Sequence, residues 1–320
     1  MAKRVTLEQL LADVAAAKST PRTDVSLATL RAALAGKWAY AATKAAELAA
    51  EHELEPLTDA LVAAFDHWMT HSGEDKNCAA KTAIADALYR IGYPKEGVFL
   101  QGIRHLQMEP VFGGRVDTAA HLRGVCALGL VRMNYADAMT EIAELLADPE
   151  HVARAGAARA LGYRGGDDAA PLLRFKLRVG DAEPEVLTEC LVSLLRLTPK
   201  PAIALAEKLL NREQAEDRID ALVLALGQSR QPAAFDVLRR RTDAGQGGAT
   251  TLLAIAMIRT DAALAYLHEL VATAPPRVAA DAVRALATYR HDAALRAKVQ
   301  QAVDARRDRA LSAAFAASFA

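Results

Sequence analysis

The chain has 320 residues, 39 basic and 39 acidic, for a formal net charge of +0, and it is 52% hydrophobic with only 5% aromatic residues. That balance is poor equipment for gripping phosphates, which argues against nucleic acid as the main partner while leaving room for a local basic patch. Glu8 and Asp13 stand where an export signal needs an apolar run, and the longest uncharged stretch, residues 244–258, is too short and glycine-rich to span a bilayer, so no membrane association is expected.

Residues 7–17 carry an apolar stripe at helical spacing (Leu7, Leu10, Leu11, Val14), and Pro21 ends it, which predicts an N-terminal cap over residues 1–24. A helix pair follows at 26–35 and 38–52, with Trp38 and Tyr40 at the join, where aromatics seal an end of a stack. Pro56 opens a helix running to residue 70, and the link HSGEDKN leads to a second helix at 77–91. His67 and His71, four residues apart, share one face as half of a zinc site. No third ligand is indicated, so they read as solvated histidines and no metal or cofactor is assigned.

A helix over residues 95–106 should meet its partner after a short turn, but an insert at about 107–116 intervenes. Pro110 stops the helix, and Gly113 and Gly114 permit a sharp reversal. Gln107, Met108, Glu109, Phe112 and Arg115 lie on the insert, flanked by Arg104, His105 and, in the following helix, His121. Long loops in regular scaffolds are disproportionately functional, so these residues form the candidate partner-binding site. The competing reading is a decorated turn whose Met108, Val111 and Phe112 pack on the ridge. The two glycines are not a phosphate loop, for no GxGxxG or GxxxxGK[ST] pattern surrounds them.

From residue 134 the pattern is regular. Helices are predicted at 136–147, 168–179, 200–211, 232–241 and 262–273, with Pro171, Pro201 and Pro232 in first turns and Gly162, Gly165, Gly166 and Gly227 at helix ends. A charged last helix at 292–309 caps the array. The tail beyond it, with Phe315 and Phe319 four residues apart, either docks or meets a partner. Cys78, Cys126 and Cys190, odd in number and widely spaced on the predicted inner helices, read as small buried residues of a reducing cytoplasm.

These helices carry a repeat. Residues 151–162, HVARAGAARALG, hold a nine-residue frame of small apolar positions that returns near residues 41, 80, 122, 187, 218, 249 and 278. Its second position falls at 81, 123, 154, 188, 219, 250 and 279, steps of 42, 31, 34, 31, 31 and 29. A period near 30 with two helices per unit signals an α-solenoid. Asp75, Asp117 and Asp148 stand six residues before Lys81, Arg123 and Arg154, an arrangement suited to capping a helix and tying neighbouring repeats, and these six charges are assigned to structure.

The alanine-rich second helix, the turn aspartate and the early arginine resemble HEAT repeats, particularly the short bacterial kind first associated with phycobilin lyases. The resemblance covers about 250 residues. It implies an all-α, right-handed superhelix of antiparallel helix pairs with about seven to eight repeats in one domain, repeats filling 25–291 and a cap filling 292–320. In that frame the seventh position faces the concave side, where Leu128, Leu224 and Ile255 make apolar ground. That ground is either an interface or, if the frame slips, core. The function expected is a non-catalytic scaffold holding a protein or peptide on its concave face and on the insert. The alternative is an enzyme or enzyme partner of the bilin-lyase or HEAT-like DNA glycosylase kind. No catalytic acid, base and nucleophile converge in the sequence, and two His-Glu pairs, His52-Glu53 and His268-Glu269, are misplaced for the di-iron site of the related deoxyhypusine hydroxylases.

Overall fold

The structure is a computed structural model and describes residues 6–320, so the first five residues of the expected cap lie outside it. By its internal contacts the chain divides into two compact units, Met1–Ala169 and Ala170–Ala320. The fold is all-α and solenoid-like, with nineteen α-helices and a single two-stranded sheet among the described residues. None of these helices is long and apolar enough to cross a membrane.

The first unit contains α1 (Leu7–Ala17), α2 (Asp24–Leu34), α3 (Ala39–Glu51), α4 (Thr58–Thr70), α5 (Ala79–Ile91), α6 (Gly97–Ile103), strands β1 (Met108–Val111) and β2 (Gly114–Asp117), α7 (Ala120–Arg132), α8 (Ala138–Leu145) and α9 (His151–Arg164). The next helix, α10 (Gly166–Val179), begins in the first unit and ends in the second. There follow α11 (Pro184–Leu197), α12 (Pro199–Leu210), α13 (Glu216–Gln228), α14 (Pro232–Asp243), α15 (Ala249–Ile258), α16 (Asp261–Thr273), α17 (Pro276–Leu286), α18 (Ala293–Arg306) and α19 (Arg309–Ser318). Within the first unit α3 packs on α5, α5 on α7 and α7 on α9. Within the second, α11 packs on α13, α13 on α15 and α15 on α17, and the remaining helices flank these rows.

Small residues set the spacing inside the rows. Gly124 of α7 and Gly156 of α9 face each other so closely that a β-carbon on Gly156 would stand 2.6 Å from the Gly124 Cα. The frame seen in the sequence is thus a close-approach stripe, lined by the buried Ala153, Ala157 and Ala160. Threonine and aspartate start several helices: Thr6 Oγ1 accepts from Gln9 N at 3.2 Å and Asp308 Oδ1 from Ala310 N at 2.8 Å.

Several boundaries differ from expectation, each for a local reason. Helix α6 ends at Ile103 and the insert after it is a β-hairpin, a strand pair that the sequence reading did not anticipate. Helix α10 starts at Gly166, which moves Pro171 from the first turn into the helix interior. Gly165 caps the end of α9 as expected, and Gly162 and Gly227 stand in the last turns of α9 and α13 rather than beyond them. A β-carbon on Gly227 would reach 2.6 Å from the Ala254 carbonyl oxygen, so its smallness serves the α13–α15 approach. The expected last helix breaks at Arg307, which adopts φ 53°, and the tail forms α19, docked on α17 with Phe315 and Phe319 buried and their rings stacked at 4.6 Å. Cys78 sits in the turn before α5, Cys126 on α7 and Cys190 on α11. All three are free and buried, and burial first of all pushes their thiols up, Cys78 and Cys190 to about 12.

Candidate functional site: a fastened hairpin with an apolar tip

The insert pairs antiparallel, Met108 with Asp117, Glu109 with Val116, Pro110 with Arg115 and Val111 with Gly114. Two residues make the turn. Gly113 takes φ 88°, a left-handed value that a side chain disfavours, and Phe112 is left at the tip. An isolated pair of four-residue strands is marginal in water, so the hairpin must be held from below.

Its base is fastened by polar groups that the rest of the unit buries. Asp117 accepts from Gln107 N at 2.9 Å and Ala119 N at 3.0 Å, and pairs with Arg123 at 2.6 Å. Arg123, 2% exposed, also grips Asp148 through two hydrogen bonds, 2.8 and 2.9 Å, and donates to the His105 carbonyl at 2.9 Å. One guanidinium therefore joins the end of the hairpin, the start of α7 and the turn before α9. Burial alone would lower the Arg123 pKa, but Asp148 and Asp117 raise it above its ordinary value.

Glu109 anchors the other strand. Its Oε1 accepts from Gln107 Nε2 at 2.7 Å, Thr118 Oγ1 at 3.0 Å and Asn77 N at 2.7 Å. Gln107 Nε2 also donates to the Asp75 carbonyl at 2.7 Å. Asp75 in turn caps α5, accepting from Ala80 N at 2.8 Å, and pairs with the fully buried Lys81 at 2.9 Å. Asn77 and Cys78 are consecutive left-handed residues, φ 57° and 53°, a conformation that costs free energy and persists only where its surroundings hold it. Glu109 supplies part of that hold.

Above this base the surface changes character. Phe112 is 110% exposed, and Leu106, Met108, Val111 and Val116 are exposed as well, so the reading in which Met108, Val111 and Phe112 pack on the ridge does not hold. The β1 edge is a poor template for another strand: Pro110 has no N–H to offer, and the Arg115 guanidinium already donates to the Met108 carbonyl at 2.8 Å. What the hairpin presents is side chains, an apolar tip beside one exposed cation.

Other residues singled out from sequence have mixed fates. Arg104 is exposed but engaged, both its Nε and Nη2 donating to Glu141 of α8. His105 is half-buried, its Nε2 3.4 Å from Gln107 Oε1. Burial lowers its pKa despite that contact. His121 is exposed at the start of α7. Leu128 is half-buried on α7 in the first unit, and Leu224 half-buried on α13 in the second. Ile255 is a correction. It is 0% exposed, packed inside the second unit, whereas Leu253 on the same helix is 37% exposed. The repeat frame assumed a constant rotational phase, and in α15 that phase is different.

Asp75, Asn77 and Thr118 were not assigned to the site from sequence, and neither were the exposed Leu106 and Val116. The available signal was FG between MEPV and GRVD, two four-residue runs around a glycine-bearing turn. His67 and His71 stack at 4.4 Å between ring centroids, and no group of three potential metal ligands occurs among the described residues. No protein-family model matches the chain, and no curated protein matches it in sequence.

Proposed function

We propose that this chain is a non-catalytic, HEAT-like scaffold that binds a protein or peptide partner through its hairpin, and that it acts in a reducing cytoplasm, where its three free cysteines stay reduced. One observation carries the reading: a hairpin whose base is locked by buried charges while its tip leaves a phenylalanine wholly in water. Ordering an exposed strand pair has an entropic cost, and leaving large apolar groups exposed forgoes about 1.5–3 kcal/mol for a side chain such as Phe112. A partner that buries the tip recovers that energy with little further ordering, which is how preorganised anchors gain affinity.

The test is a quantitative pull-down comparing the intact chain with two variants, Phe112→Asp and one in which residues 107–116 are replaced by a short Gly-Ser turn. The expected result is a protein retained by the intact chain and lost by both variants, with helical content unchanged for Phe112→Asp. Retention of every captured protein by Phe112→Asp would remove the hairpin as the contact element. Co-purification of a nucleic acid or a coloured cofactor in place of a protein would favour the enzyme-side alternative.

A further inference from the structure

We propose that the second unit holds a binding site for a carboxylate, in a cavity between α12 and α14 where Arg241 meets the anion and an apolar wall takes the short chain attached to it. The cavity measures about 190 Å³, below the usual size of a drug-like site and suited to one small acid or one chain end. It lies in a different unit from the hairpin and is independent of it. Arg241 is what calls for an anion. It is half-buried, its Nε is sealed from solvent and makes no hydrogen bond, and its polar contact is from Nη1 to Gln246 Oε1 at 3.5 Å, the outer limit for such a bond. Its neighbours Arg239 and Arg240 each have a carboxylate, Asp243 at 3.5 Å and Glu207 at 2.7 Å, whereas no carboxylate of the described residues pairs with Arg241. Burial therefore acts unopposed and pushes its pKa below the ordinary value, the reverse of Arg123. Because an arginine stays charged regardless, the fold carries a partly desolvated cation with no counter-charge.

Geometry and charge narrow the ligand. With Nε closed off, Arg241 offers its two terminal nitrogens, and their forked N–H groups match the two oxygens of one carboxylate. The wall holds one carboxylate of its own, Glu207, already taken by Arg240, so two cations face one anion and the surplus is a single charge. That surplus suits a monoanion and disfavours phosphate, which carries nearly two charges at neutral pH. Leu210, Val237 and Ala244 complete the wall and favour a hydrocarbon chain over water. The ligand is therefore a carboxylate borne on a short aliphatic group. Two sources share that chemistry: a free acid, and the C-terminal residue of a peptide.

The experiment is an NMR titration of the full, isotopically labelled chain, following the backbone amides of Arg241, Ala244 and Gln246. The probes are isovalerate, a short peptide ending in leucine with a free carboxylate, the same peptide amidated, and inorganic phosphate. Saturable shifts at those amides are expected with at least one of the two acids, at a Kd of roughly 1 mM for so small a contact, and the amidated peptide should bind at least about tenfold more weakly than the acid that binds. A peptide acid that binds more tightly than isovalerate assigns the site to a chain terminus; isovalerate binding as tightly or more so assigns it to a free acid. Arg241→Gln, shown to be folded by circular dichroism, should weaken that binding by at least about tenfold. Amide and acid binding alike, phosphate binding more tightly than either acid, undiminished binding by folded Arg241→Gln, or no saturable shift with either acid overturns the proposal. The comparison of acid with amide uses the intact chain, so it decides the matter even where the variant does not fold. None of these outcomes bears on capture of a partner through Phe112.

Discussion

Glu109 links a strand to a strained turn, and its charge is the part of that link which pH can remove. Burial raises its pKa, but the hydrogen bonds from Gln107, Thr118 and Asn77 more than offset it and hold the carboxyl below its ordinary value; Asp117 behaves alike under Gln107, Ala119 and Arg123. A depressed native pKa means that around pH 4 the unfolded chain binds more protons than the native one. The stabilisation is therefore complete above the unfolded values of about 4 and is lost as pH falls through the native ones. Replacing Glu109 with Gln keeps the shape and removes the charge. At pH 7 the variant should be less stable by about 1 kcal/mol, the charge-assisted part of these bonds, and the gap should close as pH falls through the depressed native value. Denaturant titrations at a series of pH values measure this, and a gap that stays constant would show that the hairpin base does not depend on the charge.

Between elements, the α7–α9 contact sets two rules against each other. Helix propensity says that alanine in place of a helical glycine stabilises by about 1 kcal/mol. The structure says that a β-carbon on Gly156 meets backbone at 2.6 Å and one on Gly124 at 3.1 Å. Overpacking of that kind costs about 1–3 kcal/mol, so Gly156→Ala should lower the thermal midpoint, and Gly124→Ala should lower it less or not at all. A rise for Gly156→Ala would mean that the helices part freely. Much of this level was legible in the sequence, because small residues at three- and four-residue spacing report a narrow helical stripe directly, and α1 runs over the very residues expected of it, Leu7–Ala17. The hairpin's one mark in the sequence was its turn, Phe112-Gly113 between two four-residue runs, and those runs are too short to show strand alternation beside Pro110 and two glycines. Ile255 was misplaced because α15 reads ATTLLAIAMI, apolar nearly all round, and so has no polar face to fix its rotation.

At the scale of the whole chain, the base of the hairpin was half legible. The six-residue offset from Asp75 to Lys81 and from Asp117 to Arg123 announced the pairs, but the reach of Arg123 to Asp148, 25 residues onward, depends on helices packing side by side and leaves no local mark. That reach makes Arg123 a test of how far cooperativity extends. In a stacked array each layer contacts only its neighbours, so stability is a sum of local and nearest-neighbour contributions. Arg123→Met leaves the buried Asp117 and the partly buried Asp148 without their shared cation, a loss of about 3 kcal/mol, the lower end for broken buried pairs. If the array behaves as layers, hydrogen exchange should accelerate strongly in the hairpin, α7 and α9, less in α3, and by no more than about twofold in α13, α15 and α17 of the second unit. A uniform acceleration across both units would show instead that the chain opens as one cooperative body, and that the ties at each turn spread strain along its whole length.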